Sequence, residues 1–517
     1  MGQRQRIMIV IPPFCVLANL RPFLGPALLK PILEKEGYEI RLIDTIPTFY
    51  DNMNISYDKE WRSNHIIMEM LEIFSMQDLD SFGNCLKSDI LMELNNIVRE
   101  IIDYKPHVCC FSVPFRPNFM SAVWIAREVK RALNCKTIVG GSLITIPALD
   151  HIRNAVPANI IDIFIIGEGE NTLPKVLRCL LGHGKTDNQP IEELGKISGI
   201  CFFENNQTGE YSHREKNAQL LTTGAPRDIP SDLDSLPYSD LSDYELFKYP
   251  LQALSISNSR GCIARCKFCN SRKIHPKFRM RSGANVAQEI YEKYESTGIR
   301  RFDFMDNLIN GDHRKLMEYC QIMKKMKLPV ISWGMPRLTK YFDEESIELL
   351  AAAGFKSLTV AIESGSAKVR KDMGKYGDQK HVENIIKWMI KHKIWPFLYI
   401  MHSYPTESDG DFQQSLDFLD KFSQQEIGWV AWPFNLAGVT SGVIDEEFIK
   451  SYGITITKIG NPNPGYWYFG YQIEWHNDLI NPMVVEKRSA LIEEFRQEWL
   501  GKGSQKEMEV PEAGLIT

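Results

Sequence analysis

From residue 6 the chain alternates short apolar runs with helix-patterned segments: RIMIVIPP, then PALLKPILEKEG, then YEIRLID. After a long, largely helical insertion (about 60–103) the rhythm returns with HVCCFSVP, AVWIAREVKRAL, KTIVGG, IDIFIIGEGE and NTLPKVLRCLL. Strands that are apolar along their whole length and separated by helices predict a parallel sheet covered on both faces. Residues 1–210 are therefore expected to form a doubly wound α/β domain. Ligands of such sheets sit beyond the carboxyl ends of the strands. The residues just after each run are thus the candidates: Cys15 and Asn19; Ser112, Val113 and Pro114; Gly140, Gly141 and Ser142; Gly167, Glu168, Gly169 and Glu170.

ISGICFFENNQTGEYSH reads as a β-hairpin with its turn near Asn205 to Gly209. A polar, proline-bearing stretch then lacks sustained periodicity, and 211–247 is expected to be a linker. A second series follows: LSISNSR, RRFDFMDN, VISWGM, SLTVAIES, PFLYIMHSYP and WVAWPFN, with helical segments between them. Six strand–helix units predict a partial (βα)6 barrel over 248–438, with its chemistry at the strand ends. Residues 439–517 read as an α-rich, aromatic C-terminal region whose segment Tyr466 to Trp475 is dense in aromatics. That segment is expected to dock the terminal region onto the barrel more readily than to wall a substrate.

Composition narrows the classes. The 517 residues are 44% hydrophobic and 24% charged, with a net charge of −5. This is a globular profile without a global basic field, which disfavours nucleic acid and leaves only local patches such as Arg279 to Arg281. Pro12 and Pro13 interrupt the apolar N-terminal stretch, and no small-residue cleavage site follows, so a buried first strand is expected and not a signal peptide. No uninterrupted apolar run reaches the ~18 residues of a membrane span. Eleven cysteines, several within strand-like runs (Cys109, Cys110, Cys135, Cys201), suit a reducing compartment. A cytoplasmic protein is expected.

SNSRGCIARCKFCN (257–270) places Cys262, Cys266 and Cys269 just after the first barrel strand. Structural zinc normally takes four protein ligands, and here the nearest fourth candidate is His275, while Cys320 stands alone. Three thiolates suit a four-iron cluster with one open iron. The CxxxCxxC spacing in a loop after a barrel's first strand resembles the radical S-adenosylmethionine (SAM) superfamily. That resemblance implies a [4Fe-4S] cluster on the three cysteines and SAM on the open iron, cleaved reductively to a 5′-deoxyadenosyl radical. It implies Phe268 beside adenine, Asp306 and Asn307 (FDFMDNLINGD) at the SAM amine, and Glu363 and Ser364 (AIESGSAKVRKDMGK) at the ribose or carboxylate. HSYPTES (402–408) stands where many relatives carry a glycine-rich loop, and it has no glycine.

PALLKPILEKEGYEIRLID, GGSLIT and IDIFIIGEGENT resemble the cobalamin-binding domain that precedes the barrel in one large subclass. A D-x-H-x-x-G stretch is absent, and Leu143 stands where relatives often carry histidine. The resemblance therefore implies base-off cobalamin without a histidine lower ligand, with His107 and His151 as surface or cap residues. The implied activity is methylation of an unactivated carbon, or of a phosphinate phosphorus, by a radical route. A cyclase or rearrangement enzyme using cobalamin without methyl transfer is the alternative, and a non-catalytic cobalamin or Fe–S protein a further one. A methylthiotransferase is discounted, because Cys15, Cys85, Cys109 and Cys110 form no second cluster set. Hydrogen abstraction by an adenosyl radical needs no protein base, so no catalytic side chain is assigned. Tyr399, Tyr404 and Trp432 are the candidates for contact with a small-molecule or peptide substrate. An electron donor such as flavodoxin or ferredoxin and an anaerobic setting are also implied.

Overall fold

The computed structural model describes residues 4–13, 20–53, 79–182, 190–203, 219–225, 228–269, 271, 275, 277–436, 446–462 and 471–501. The first sheet holds β1 (Arg6–Ile11), β2 (Glu39–Asp44), β3 (Val108–Ser112), β4 (Lys136–Gly140), β5 (Ile163–Ile165), β6 (Ile200–Phe203) and β7 (Leu220–Thr222) in the order β2-β1-β3-β4-β5-β6-β7. The first five are parallel and the last two antiparallel. Ile7 to Ile11 are almost wholly buried, as expected of a central strand covered on both faces. The order reverses between β1 and β3, which creates a crevice at their carboxyl ends.

The expected hairpin partner lies further along the chain: β6 pairs with β7, and 204–218, including the expected turn, fall outside the described residues. Of the expected helical insertion, Leu79–Cys85 and Ser88–Tyr104 are helical.

The second sheet runs β15-β14-β13-β12-β11-β8, all parallel: β8 (Ala253–Ile256), β11 (Arg301–Phe304), β12 (Ile331–Gly334), β13 (Phe355–Glu363), β14 (Trp395–His402) and β15 (Gly428–Pro433). Each connection carries a helix, as the six-unit partial barrel requires. Helix starts are well specified: Ser282, Asp312, Asp343, Ser366, Asp378 and Ser408 each accept a backbone N–H of the first turn. Between β8 and β11, the two-residue strands β9 (Ser259–Arg260) and β10 (Arg279–Met280) pair antiparallel and close the base of the cysteine loop.

Within the stretch expected to be a linker, 228–247 is a strap bound to both sheets' elements. Lys30 pairs with Asp243 at 2.8 Å, Leu42 N–H donates to Asp243, and Tyr249 Oη donates to Asp44 at 2.6 Å. On the barrel side Lys293 Nζ donates to the Ser239 carbonyl at 2.8 Å. Aperiodic sequence here reflects a segment held by side-chain polar contacts, which leave no hydrophobic rhythm. The C-terminal hairpin, β16 (Thr455–Pro462) with β17 (Tyr471–His476), packs Trp475 against Phe434 with ring centroids 5.6 Å apart. The helix Pro482–Gly501 sets Trp499 against Trp429 at 6.0 Å. Trp475 thus docks the terminal region; 463–470 lie outside the described residues. No helix among the described residues is long and apolar enough to cross a membrane.

Gly141 shows how tightly the first sheet's strand ends are sewn. It sits at φ +117°, and a Cβ there would lie 2.4 Å from the Val113 carbonyl oxygen. Gly141→Ala is expected to destabilise the protein by at least ~1–3 kcal/mol, read as a lower urea midpoint; an unchanged midpoint would contradict this packing.

Candidate cofactor site between the two sheets

The cysteine loop is fixed from below. Asp306, at the end of β11, accepts the backbone N–H of Asn258 at 3.2 Å and the N–H of Ser259, while Ser259 Oγ donates to the Leu308 carbonyl at 3.0 Å. Burial raises the Asp306 carboxyl to about 7 against the pull of these donors. Asp306 therefore positions the loop, with its two oxygens occupied by backbone, where the resemblance implied a SAM contact. Its neighbour Asn307 is exposed. Gly261 takes φ +81°, with a would-be Cβ 2.7 Å from the Lys277 carbonyl, so the chain turns into the cysteines where only glycine fits.

Cys262 and Cys266 are partly buried and Cys269 is exposed. Burial of the sulfur pushes the Cys262 thiol up and that of Cys269 too, although the Cys269 residue as a whole is exposed; the Cys266 charge raises both further, and the Cys262 charge raises Cys269. The three sulfurs thus lie within electrostatic reach of one another, yet among the described residues no trio of His, Cys, Asp or Glu is tight enough for a single ion. Three thiolates suit a four-iron cluster with one open iron, whereas structural zinc takes four protein ligands. His275 sits with Glu168 at 3.6 Å, so its ring faces a carboxylate.

Two cations surround the thiols. Arg337 Nη1 donates to Cys266 Sγ at 3.5 Å, and Lys375 Nζ lies 5.7 Å from the Phe268 ring centroid. Lys375 Nζ also donates to Glu363 Oε1 at 2.9 Å. Burial acts to lower this ammonium, and Glu363 and the Cys266 charge reverse it, so the net shift is upward. Glu363 takes φ +70°, a strained conformation for a non-glycine residue at a strand end. Ser364 is fully buried; its Oγ accepts the Ser366 N–H at 3.1 Å and its carbonyl accepts Arg370 Nη1 at 2.7 Å. Ser364 therefore builds the turn into the helix Ala367–Met373, while Glu363 reaches the cysteine side.

The first sheet's strand ends face this loop. Ser142 and Gly167 are exposed, and Ser112, Pro114, Gly140, Gly141 and Gly169 partly so, while Val113 is buried. Ser142 Oγ donates to the Pro114 carbonyl at 2.8 Å. Beneath this shelf, the Oδ1 of fully buried Asn118 has no hydrogen-bond partner among the described residues. Small accessible residues over an unsatisfied acceptor suit a broad ligand carrying amide donors. Cys15 and Asn19 lie outside the described residues, as does the side chain of His151. His107 accepts the Arg6 N–H at 3.0 Å at the amino edge of the sheet, far from the ligand face.

Glu168 and Glu170 are bound to arginines of the barrel. Glu168 accepts Arg260 Nη1 at 2.7 Å and is bound by both terminal nitrogens of Arg279, one at 3.0 Å; Glu170 accepts Arg260 Nη2 at 2.6 Å. All four side chains are nearly buried. Through these two side chains the loop expected to cradle a ligand also grips β9 and β10, which flank the cysteines. Arg281, for its part, pairs with Glu289 at 2.5 Å, so the arginines 279 and 281 form no basic patch.

The radical SAM superfamily model matches residues 256–419. The matched stretch holds Cys262, Cys266 and Cys269 and runs through β14. The cytidylyl-2-hydroxyethylphosphonate methyltransferase of Streptomyces wedmorensis is 24% identical over 377 residues, 68% of this chain and 62% of that protein. The match thus spans about three-fifths of that relative's length. Solved structures of two proteins cover 96% of this chain. The cobalamin-dependent SAM radical enzyme OxsB, with aqua-cobalamin and SAM bound, has a TM-score of 0.63, 16% identity and 67% coverage of its own chain. The radical SAM methyltransferase TsrM from Kitasatospora setae, with tryptophan substrate and aza-SAM bound, has a TM-score of 0.60, 14% identity and 88% coverage. The fold is that of the cobalamin-binding radical SAM proteins.

In this barrel the inward side chains follow from strand alternation. Phe302 and Phe304 pack outward with Tyr319, which leaves Asp303 inward. Arg21, arriving from beyond β1, forms an ion pair with Asp303, which also accepts Arg301 Nε at 3.1 Å. Tyr399 faces inward beside Phe397, at a centroid distance of 5.7 Å, and burial followed by the Glu363 charge raises its phenol. Trp432, at the end of edge strand β15, is 52% exposed. Tyr404 does not line an open pocket: it is fully buried among Phe268, Phe434, Phe448 and Tyr452, and its hydroxyl donates to Tyr452 at 3.0 Å. It buttresses Phe268. Ser403 adopts φ +59°, so the conformation the missing glycine would supply is present, held by Glu407 accepting the Ser403 N–H at 2.6 Å.

Sequence reasoning missed Arg337, Lys375, Arg260 and Arg21; only the long-range fold brings each to its partner. Burial acts to raise the Glu168 carboxyl, but His275, Arg279 and Arg260 overcome it and hold it well below the usual range. Its contribution to stability is therefore present above the ordinary value of 4.5 and lost as the pH falls below it. Glu168→Gln is expected to cost about 3–5 kcal/mol at neutral pH and to flatten the acid-side fall of the melting temperature. A variant melting like the wild type at pH 7 would contradict the clamp.

Proposed function

We propose that the protein is a cobalamin-dependent radical SAM enzyme that methylates an unactivated carbon or a phosphinate phosphorus. The observation that carries this is the direct apposition of the first sheet's strand-end shelf to the cysteine loop through Glu168 and Glu170. Cys262, Cys266 and Cys269 would hold a [4Fe-4S] cluster as thiolates, with Arg337 and Lys375 offsetting their charge. Phe268, Asn307 and Glu363 would line the SAM site. The small residues at 112, 140–142 and 167 would carry the corrin. His107 is committed at the opposite sheet edge, which supports a base-off corrin without a histidine lower ligand.

When bound, the cluster with SAM supplies hydrogen-atom abstraction, and the corrin supplies a methyl group that a substrate radical can take. The chain's own task is to hold distance and exclude water. Arg21 with Asp303 fills the inner barrel from the first domain's side, Tyr399 and Trp432 give the remaining wall an aromatic character, and Tyr404 with Phe434 keeps Phe268 in place. That lining suits a small organic molecule or a peptide side chain. No protein base is required, because hydrogen leaves the substrate as an atom, and electrons would come from a donor such as flavodoxin or ferredoxin.

The test is anaerobic turnover with methyl-labelled SAM and candidate acceptors. Methylation predicts label in the product, with 5′-deoxyadenosine and S-adenosylhomocysteine formed in about equal amounts, one for the abstraction and one for renewal of the methyl group. Deoxyadenosine with product but no S-adenosylhomocysteine would instead establish cyclase or rearrangement chemistry. The triple variant Cys262→Ala, Cys266→Ala, Cys269→Ala is expected to lose deoxyadenosine formation while retaining cobalamin; continued SAM cleavage would overturn the cluster assignment.

A further inference from the structure

Arg337 is placed with unusual completeness for a loop arginine. Its backbone N–H donates to Asn310 Oδ1 at 2.8 Å, and its carbonyl accepts Asn310 Nδ2 at 2.8 Å, so one side chain fixes both faces of its peptide. Next to it the Ile309 N–H donates to the Met335 carbonyl at 2.9 Å, and Pro336 stiffens the segment between. Asn310 is itself 7% exposed and follows Ile309, whose carbonyl accepts Asn258 Nδ2 at 3.3 Å, on the strand end that leads into the cysteines. The guanidinium is fixed at its far end too: Nη2 donates to the Gly374 carbonyl at 3.0 Å, which leaves Nη1 on Cys266 Sγ at 3.5 Å. Gly374, at φ +79°, is itself seated on the cysteine loop, a would-be Cβ lying 3.1 Å from the Arg265 carbonyl. The barrel thus presents a permanent cation and N–H donor to one cluster ligand from a frame built independently of the cysteines.

We propose that Arg337 is a positioning residue that sets the reduction potential of the cluster, by hydrogen bonding the Cys266 sulfur and placing fixed positive charge beside it. This rests on the cluster assignment given under Proposed function. The physical reason is direct. One-electron reduction adds a negative charge to a site already bearing three thiolates, and hydrogen bonds to the sulfurs together with nearby charge are what set such potentials. A guanidinium brings a full positive charge with its N–H donors, so it favours the reduced state. Lys375 shares the location but is bound to Glu363, which cancels much of its field. Arg337 has no such carboxylate among the contacts described, its other bonds going to backbone carbonyls, a side-chain amide and the thiol.

The experiment is an electron paramagnetic resonance titration of the reconstituted full chain, without SAM, using dithionite as the one-electron reductant and mediators to fix the potential. Iron and sulfide are quantified in each sample. Arg337→Met is expected to keep its iron and shift the midpoint to more negative potential; Arg337→Lys, retaining charge but not the fork, is expected to shift part of the way. If the Met variant assembles no cluster, the Lys and Arg337→Gln variants decide by the same reading: both should be more negative than wild type, Gln the more so. Variants with full iron content and the wild-type midpoint would overturn the proposal and leave the cluster assignment standing. Wild-type protein that takes up no iron on the three cysteines would instead overturn the assignment.

Discussion

Two carboxylates from the first domain, Glu168 and Glu170, meet two guanidiniums from the barrel, Arg260 and Arg279, almost out of contact with water. Everything else about the site depends on that junction. Charges so buried are tolerable only if each is met by its opposite in good geometry, and the paired contacts of Arg260, one nitrogen to each carboxylate, satisfy this condition. The energetic return is positional. Arg260 is two residues before Cys262, and Glu168 follows β5 directly, so the strand-end shelf and the cysteine loop cannot move apart without exposing unpaired charge. The proposed chemistry, divided between two large cofactors, would need such a joint, because a misplacement of ~1 Å in reacting groups costs about two orders of magnitude in rate.

Around the cysteines the chain uses layers of support. Asp306 holds the backbone ahead of them, Gly261 permits the turn into them, and the helix Ala367–Met373 receives the Lys267 N–H on the Met373 carbonyl at 3.0 Å. Behind Phe268 stands the aromatic cluster of Tyr404, Phe434, Phe448 and Tyr452, contributed partly by the C-terminal region. Tyr452 Oη and Lys267 Nζ both bind Asp372, at 3.1 and 2.7 Å, which ties that region to the loop as well. Three separate parts of the chain therefore converge on one short loop.

Periodicity made the architecture legible. Runs such as IMIVI (7–11) are apolar throughout because they are buried on both faces, and the parallel part of the first sheet follows from that. CxxxCxxC was legible because thiolate chemistry is local in sequence. The roles of Glu168, Glu170 and Asp306 were not, since an acidic residue at a strand end reads alike whether it meets a ligand or a distant arginine. Tyr404 looked like a pocket wall for a similar reason: burial among rings from 268, 434, 448 and 452 is a property of the fold. Ser403 hid its backbone conformation behind a side chain that rarely adopts it. The polar strap of 228–250 kept no periodicity because its partners, Lys30, Asp44 and Lys293, lie on two other units.

The measurement that bears most directly on this account is the cofactor content and spectrum of the full chain, purified anaerobically and reconstituted with iron, sulfide and hydroxocobalamin. The account predicts about four irons and about one corrin per chain, with a base-off cob(II)alamin signal lacking nitrogen splitting from a lower ligand. A full iron complement with no retained corrin would contradict it, leaving the radical SAM barrel intact and the first domain without its assigned ligand.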